Sequence, residues 1–224
     1  MPTPHRLGAR SADPPQAPSR RRRWLLGGLA LAAAAGAALW QGWPFVRSYV
    51  RPAARRRPRP RRHPWAQPLT EPGLSNFYRV SDVLYRGAQP SPEGMKRLEA
   101  MGIRTVVNLR RLHSNRTEAA GTSLRCLDVR VNPFDPEFDE VVRFLRIVRD
   151  PNVHPVYVHC QRGIDRTGMM CAAYRMVECG WTADEAVDEM VHGPFGYDGV
   201  FRNVPTFLRR LDVARIRREL AAGT

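Results

Sequence analysis

Cys160 stands six residues before Arg166 in the run Val156-Tyr157-Val158-His159-Cys160-Gln161-Arg162-Gly163-Ile164-Asp165-Arg166-Thr167-Gly168, a spacing that suits a sulfur nucleophile facing a bound oxyanion. The intervening loop is short enough for successive backbone N–H groups to point inward. Such a nest, at the start of the next helix, cradles negative charge. Arg166 grips two oxygens with its planar fork, which a lysine does less well. The same positive field lowers the thiol pKa from its free value of about 8.5, so that a thiolate exists at neutral pH. Thr167 has a hydroxyl to offer the thiolate, and His159 a ring N–H to fix the strand end. Gly163 and Gly168 permit the close backbone approach. Gln161, Arg162, Gly163, Ile164, Asp165 and Thr167 therefore form the expected anion-binding set.

An oxygen leaving group departs badly without a proton, so an acid must arrive from another loop. Asp135, in Asn132-Pro133-Phe134-Asp135-Pro136, directly follows an apolar strand and is the first choice as general acid, later general base for water. Asp139 is the rival, with helix N-capping as its other role; Asp128 lies inside the strand pattern and is weaker. For Asp165 the alternative to substrate binding is a carboxylate that orients Arg166 or meets solvent.

The elements that must hold these groups alternate between strands and helices. Val83–Arg86, Thr105–Leu109, Leu124–Val131 and Val156–Val158 read as strands. Ser91 caps a helix with Pro92 at its first position and Gly102 beyond its end. A second helix begins near Asp139 with Val141, Phe144, Leu145 and Val148 on one face, and a third runs from Arg166 to about Cys179. Thr182 and Glu185 make a capping box for a fourth, and Phe207, Leu208 and Leu211 mark a last one. This pattern predicts an α/β domain with a central, mainly parallel sheet flanked by helices, its ligand at the strands' C-terminal ends.

The Cys160 loop matches the His-Cys-five residues-Arg-Ser/Thr signature of the cysteine-dependent protein tyrosine phosphatase superfamily, and resembles most its small bacterial dual-specificity branch. Asn76-Phe77-Tyr78-Arg79-Val80 leading into Leu84-Tyr85-Arg86-Gly87-Ala88-Gln89-Pro90, and Gly102-Ile103-Arg104-Thr105-Val106-Val107-Asn108-Leu109-Arg110, are also similar to bacterial members. The likeness runs from about Asn76 to Leu211. It implies a phosphoric monoester hydrolase working through a phosphocysteine, acting on phosphorylated protein. The Gly-Ile-Asp-Arg-Thr-Gly segment also resembles loops of enzymes acting on phosphoinositides or inositol phosphates, which stays an alternative. A membrane-anchored phosphate-binding pseudophosphatase and a rhodanese-like sulfurtransferase are the other readings. No cofactor or metal is expected: Cys126, Cys160, Cys171 and Cys179 form no C-x-x-C pair, and His113, His154, His159 and His192 lack ligand spacing.

The chain divides sharply in charge. Of its net +15, most sits in residues 1–67, which hold fourteen arginines and one acid, against twenty-two Lys/Arg and twenty Asp/Glu in the remainder. The excess therefore belongs to an arm, not to a nucleic-acid-binding surface on the catalytic part. The organisation expected is a basic disordered N-terminus over 1–23, a transmembrane helix or signal anchor over 24–46, an Arg/Pro-rich linker over 47–75 and the catalytic domain over 76–220. About twenty apolar residues span a bilayer as a helix, and Trp24, Trp40 and Trp43 suit its interfaces. The competing reading is a twin-arginine export signal at Arg22-Arg23 with cleavage near Ala35-Gly36-Ala37. The greater number of arginines after the span puts the catalytic side in the cytoplasm, with the linker on anionic lipid.

Overall fold

The computed structural model describes residues 62–222. The basic N-terminus, the transmembrane helix or signal anchor at 24–46 and the linker up to residue 61 lie outside the described residues. Among those described, no helix is long and apolar enough to cross a membrane.

Six strands form one sheet: β1 Gln67–Pro68, β2 Tyr78–Arg79, β3 Leu84–Gly87, β4 Thr105–Asn108, β5 Arg125–Asp128 and β6 Val156–His159. Their order is β1-β2-β3-β6-β4-β5. β3, β6, β4 and β5 run parallel, whereas β1 and β2 add an antiparallel edge. The sheet is thus mixed, and the expected parallel sheet is its catalytic half. The register aligns Gly87, His159, Asn108 and Asp128 across four neighbouring strands. Their C-terminal ends are level, and every loop that matters for chemistry leaves from that row.

Alternation along the strands divides the core between two faces. Val107, Val156 and Val158 join a large cluster under helices α2 Phe138–Arg149, α3 Asp165–Val177, α4 Ala183–His192, α5 Asn203–Arg210 and α6 Val213–Ala222. Val106 and Tyr157 face the other way, with Met95 and Leu98 of helix α1 Pro92–Ala100 and with Phe77 and Leu124. Helix α3 is the hub. All of its residues except Arg166 are buried, so the helix can be displaced only by disrupting the core around it.

Local signals explain the boundaries. The Ser91 side chain accepts from Gly94 N at the start of α1, and Thr182 and Glu185 cap α4 reciprocally. Helix α2 starts at Phe138 with Glu137 as N-cap and Glu140 closing a capping box. Asp139 is therefore a first-turn residue and not the cap. The strand expected over Leu124–Val131 pairs along its ladder only through Asp128, although Val129 N and Val131 N still bond the carbonyls of Asn108 and Leu109. The apolar last helix is α5, and α6 follows it as an element without a counterpart in the expected pattern.

The stretch 62–75, assigned to the linker from its arginines and prolines, is packed on the domain. Ala66 and Leu74 are buried. Ala66 N donates to Glu189 Oε1 at 2.7 Å, and that carboxylate also receives Arg175 from α3 at 3.0 and 3.1 Å. Trp181 stacks on His63 and lies under Arg175. Composition concealed this because the anchoring partners lie more than a hundred residues away. The ordered domain therefore begins well before Asn76.

Candidate active site

Cys160 follows the last residue of β6 and is 3 % exposed, in the floor of the loop that runs into α3. Burial opposes its ionisation. Against this act the polar hydroxyl and amide of Thr167, the Arg166 charge and the Gly163 amide, and the net direction is down from the ordinary thiol value. The Thr167 hydroxyl is fully buried and has no hydrogen-bond partner among the described residues. The sequence expectation is a donor to the thiolate, and the hydroxyl is unpaired and one of the groups that lower the Cys160 pKa.

The loop is shaped from outside. His159 Nδ1 lies 3.0 Å from Cys160 O, Gln89 N donates to Gln161 O at 3.1 Å, Asn76 Nδ2 to Arg162 O at 2.9 Å and Arg86 Nη2 to Gly163 O at 2.7 Å. Four consecutive carbonyls are thus drawn away from the sulfur. In a trans peptide the next N–H points opposite to the carbonyl, so the amides of residues 161–164 face the other way. Gly163 is required here twice over. Its φ is +72°, and a Cβ would lie 2.5 Å from the Gly87 backbone. Gly87 answers in kind, since a side chain there would collide with the Tyr157 hydroxyl.

His159 is buried and belongs to a directed chain of donors. Arg110 Nη1 donates to Gln89 Oε1 at 3.2 Å, Gln89 Nε2 to Asn115 Oδ1 at 3.1 Å, and Asn115 Nδ2 lies 2.9 Å from His159 Nε2. Because the guanidinium can only donate, the order fixes Nε2 as acceptor and leaves the ring proton on Nδ1, toward Cys160 O. Burial first, with the charges of His113, Arg110 and Arg166, pushes the imidazole down to about 4 despite that backbone bond. His159 is a neutral strut for the nucleophile, not a base.

Arg162 and Asp165 correct one expectation. Asp165 does not orient Arg166; its Oδ2 receives Arg162 Nη2 at 3.2 Å, while Arg162 Nη1 reaches Asp198 at 2.7 Å. Burial raises the Asp165 pKa, Arg162 opposes and Asp198 assists. Asp198, 36 residues from Arg162, pins the loop before α5 to the phosphate loop.

Asp135 lies on the loop from β5 to α2, exposed, with its own N–H on Asn132 O at 3.3 Å. That loop is tethered by Asn203 Nδ2 to the carbonyls of Pro133 and Phe134 at 2.9 and 3.1 Å, and by Glu140 Oε1 to Asn132 N at 3.1 Å. Phe134, 78 % exposed, meets Phe201 edge-on at 5.0 Å. Asp139 is also exposed, in the first turn of α2.

Asn76, Arg86, Gln89, Asn115, Asp198 and Asn203 were not among the expected site residues. For Arg86 a signal existed: period two places it on the face of Leu84, inside the sheet, where a cation needs a reason. No group of His, Cys, Asp and Glu capable of holding a metal occurs among the described residues. The arrangement can present a thiolate to a tetrahedral oxyanion and stabilise its equatorial oxygens with amides and Arg166.

The chain is similar to known proteins. The family model described as DSP-PTPase phosphatase fused to NAD+ kinase matches residues 73–196. The dual specificity protein phosphatase TpbA of Pseudomonas aeruginosa is 33 % identical over 160 residues, covering 71 % of this chain and 72 % of TpbA. A crystal structure of a Cys-to-Ser variant of P. aeruginosa TpbA in complex with phosphotyrosine superposes with a TM-score of 0.64 at 32 % identity, covering 71 % of this chain and 98 % of that one. The inositol diphosphatase DSP3 of Arabidopsis thaliana is 28 % identical over 126 residues, 51 % of this chain and 60 % of that protein.

Proposed function

The chain belongs to the DSP-PTPase family of cysteine-dependent phosphatases and is a phosphoric monoester hydrolase of the protein tyrosine/dual-specificity type; from that premise we propose that it dephosphorylates phosphotyrosine-bearing protein, with Asp135 as the proton donor. The observation that carries this reading is the buried Cys160 at the floor of a loop whose carbonyls all turn outward. Cys160 attacks phosphorus in line, Arg166 and the inward amides take the shifting charge, and Asp135 protonates the departing oxygen. Water, activated by the same carboxylate, then frees the enzyme from its phosphocysteine. Gln161, Arg162, Gly163, Ile164, Asp165 and Thr167 form the loop around the phosphate.

The fate of Arg162 supports a singly phosphorylated substrate. Its charge is shared between Asp165 and Asp198, so the loop offers one uncommitted guanidinium, that of Arg166. Phe134, next to Asp135, and Val200, two residues from Asp198, expose apolar surface suited to an aromatic leaving group. The second reading, an inositol phosphate or phosphoinositide substrate, is favoured by Arg110, Arg111 and Arg116 on the loop after β4, none of which is in an ion pair among the described residues. Side-by-side kcat/KM measurements on phosphotyrosine peptides, phosphoserine peptides, phosphoinositides and thiosulfate test the proposal. Preference for the phosphotyrosine peptide is expected, and a clear preference for an inositol substrate overturns it. Trapping of phosphoprotein without turnover would instead indicate a binding module.

A single-pass membrane anchor at 24–46, with the catalytic domain in the cytoplasm and the basic linker against anionic lipid, completes the proposed setting. Fractionation and protease protection of the full chain test it. Recovery of a soluble, exported protein shortened near residue 36 overturns the anchor.

A further inference from the structure

Arg86 is 2 % exposed and yet forms no ion pair with any carboxylate of the described residues. Its guanidinium has two identified contacts, the Gly163 carbonyl at 2.7 Å and the face of Phe195 at 3.7 Å, and its Nε has no partner. An uncompensated buried cation is costly, and a ring face offsets only a part of that cost. Asn76, which donates to the Phe195 carbonyl, shows a second anomaly. It has φ of +51°, the only non-glycine residue with positive φ among the described residues, and its amide is divided between Arg162 O and Phe195 O at 2.9 and 3.0 Å. Conformations of this kind persist where the surroundings require them. Both anomalies end on adjacent peptides of the same loop.

We propose that Asn76 and Arg86 are positioning residues for the phosphate: by drawing the Arg162 and Gly163 carbonyls outward they hold the Gly163 and Ile164 amides toward the phosphoryl oxygens, and the buried Arg86 charge has its counter-ion in the anion the loop binds. The peptide planes leave little choice. All bonds of the loop are trans, so a carbonyl fixed on one side places the following N–H on the other. The Gly163 amide is among the groups that lower the Cys160 pKa. Glycine at 163 gives the backbone freedom to flip, and the two side chains remove that freedom. A loop without them would keep its nucleophile and lose part of its oxyanion cradle.

The inference rests on the phosphatase reading, and the experiment separates the two. In the full chain, Asn76→Gly removes the amide while suiting the positive φ, Arg86→Met removes the charge and the donor, and Arg86→Lys restores both in part. Three quantities are read: affinity for inorganic orthovanadate, the pH dependence of Cys160 alkylation followed by peptide-resolved mass spectrometry, and kcat on an aryl phosphate. Loss of one cradle donor should lower kcat by about 100-fold. Asn76→Gly and Arg86→Met should also weaken vanadate and move Cys160 alkylation to higher pH, and Arg86→Lys should recover much of the Met defect. A merely structural role moves the unfolding midpoint and leaves these three unchanged. Folded Asn76→Gly protein with wild-type vanadate affinity and alkylation profile overturns the proposal, even if Arg86→Met does not fold. A wild type that neither turns over nor binds vanadate sinks the phosphatase reading itself, and this inference with it.

Discussion

The loop carrying Cys160 and the loop carrying Asp135 leave the same edge of the sheet, after β6 and β5, but are held in opposite ways. Each carbonyl from Cys160 to Gly163 is taken by a donor outside the loop, and Thr167 and Gly168 are buried in α3. The Asp135 loop is tied by Asn203 and Glu140 through its backbone, and its carboxylate has no side-chain partner among the described residues. The phosphoryl oxygens are the same in every substrate, so the amides that meet them are ordered in advance. The leaving group differs from substrate to substrate, and the acid that serves it is left accessible.

Cys160→Ser should sharpen this contrast most. Turnover of an aryl phosphate should fall by more than about 10⁴-fold, since a serine hydroxyl at this site has no adjacent base to activate it. The unfolding transition should be nearly unchanged. Residual hydrolysis close to wild type would remove the nucleophile from the rigid loop altogether.

Asp135→Asn should cost about 100-fold in kcat, with the greater loss on alkyl phosphates, whose leaving groups need the proton more than nitrophenolate does. Asp139→Asn is the control and should change kcat less than about threefold, as expected of an exposed surface carboxylate. The reverse order of these two variants would transfer the acid role to the first turn of α2.

How much of this was legible beforehand follows from sequence distance. Cys160, Gly163, Arg166 and Thr167 lie within eight residues, and a nucleophile, a turn, an anion clamp and a hydroxyl donor can be read from their order alone. The parallel strands and the caps at Ser91 and Thr182 were equally local. What escaped was whatever depends on partners brought together by the fold: Asn76 acts on a carbonyl 86 residues away, and Ala66 on a carboxylate 123 residues away. Arg162 looked like an extra phosphate ligand because Asp198, which engages it, belongs to another loop. Asp139 looked like a cap because Glu137 is a less usual one.

The rigid loop should also reveal itself in stability against pH. His159 is about 4 in the folded chain against an ordinary 6.5, so the unfolded chain binds the proton more readily. The contribution is fully present above pH 6.5 and is lost progressively as pH falls toward 4, to a limit of about 3 kcal/mol. Urea midpoints measured from pH 7.5 to 4 should show this loss, and His159→Gln should remove the histidine's share of the slope. An unchanged slope in the variant would mean that carboxylates held below their ordinary range, such as Glu185 and Asp198, dominate.

The smallest effect belongs to the tether of the acid loop. Asn203 gives one amide to two carbonyls, those of Pro133 and Phe134, immediately before Asp135, and Phe201 packs on Phe134 beside it. Replacing Asn203 by alanine removes shared hydrogen bonds at a partly exposed site, a change of about 1 kcal/mol. If the tether aligns Asp135, that loss should appear as roughly a fivefold fall in kcat, since 1.4 kcal/mol corresponds to a factor of ten. KM and vanadate affinity should stay constant, because the cradle is held by other residues. Combination with Asp135→Asn decides the matter: once the carboxylate is gone, loosening its loop should cost nothing further, so the double variant should match Asp135→Asn alone. Additive losses would mean that Asn203 acts on the site through α5 and the 193–202 loop, where Asp198 holds Arg162.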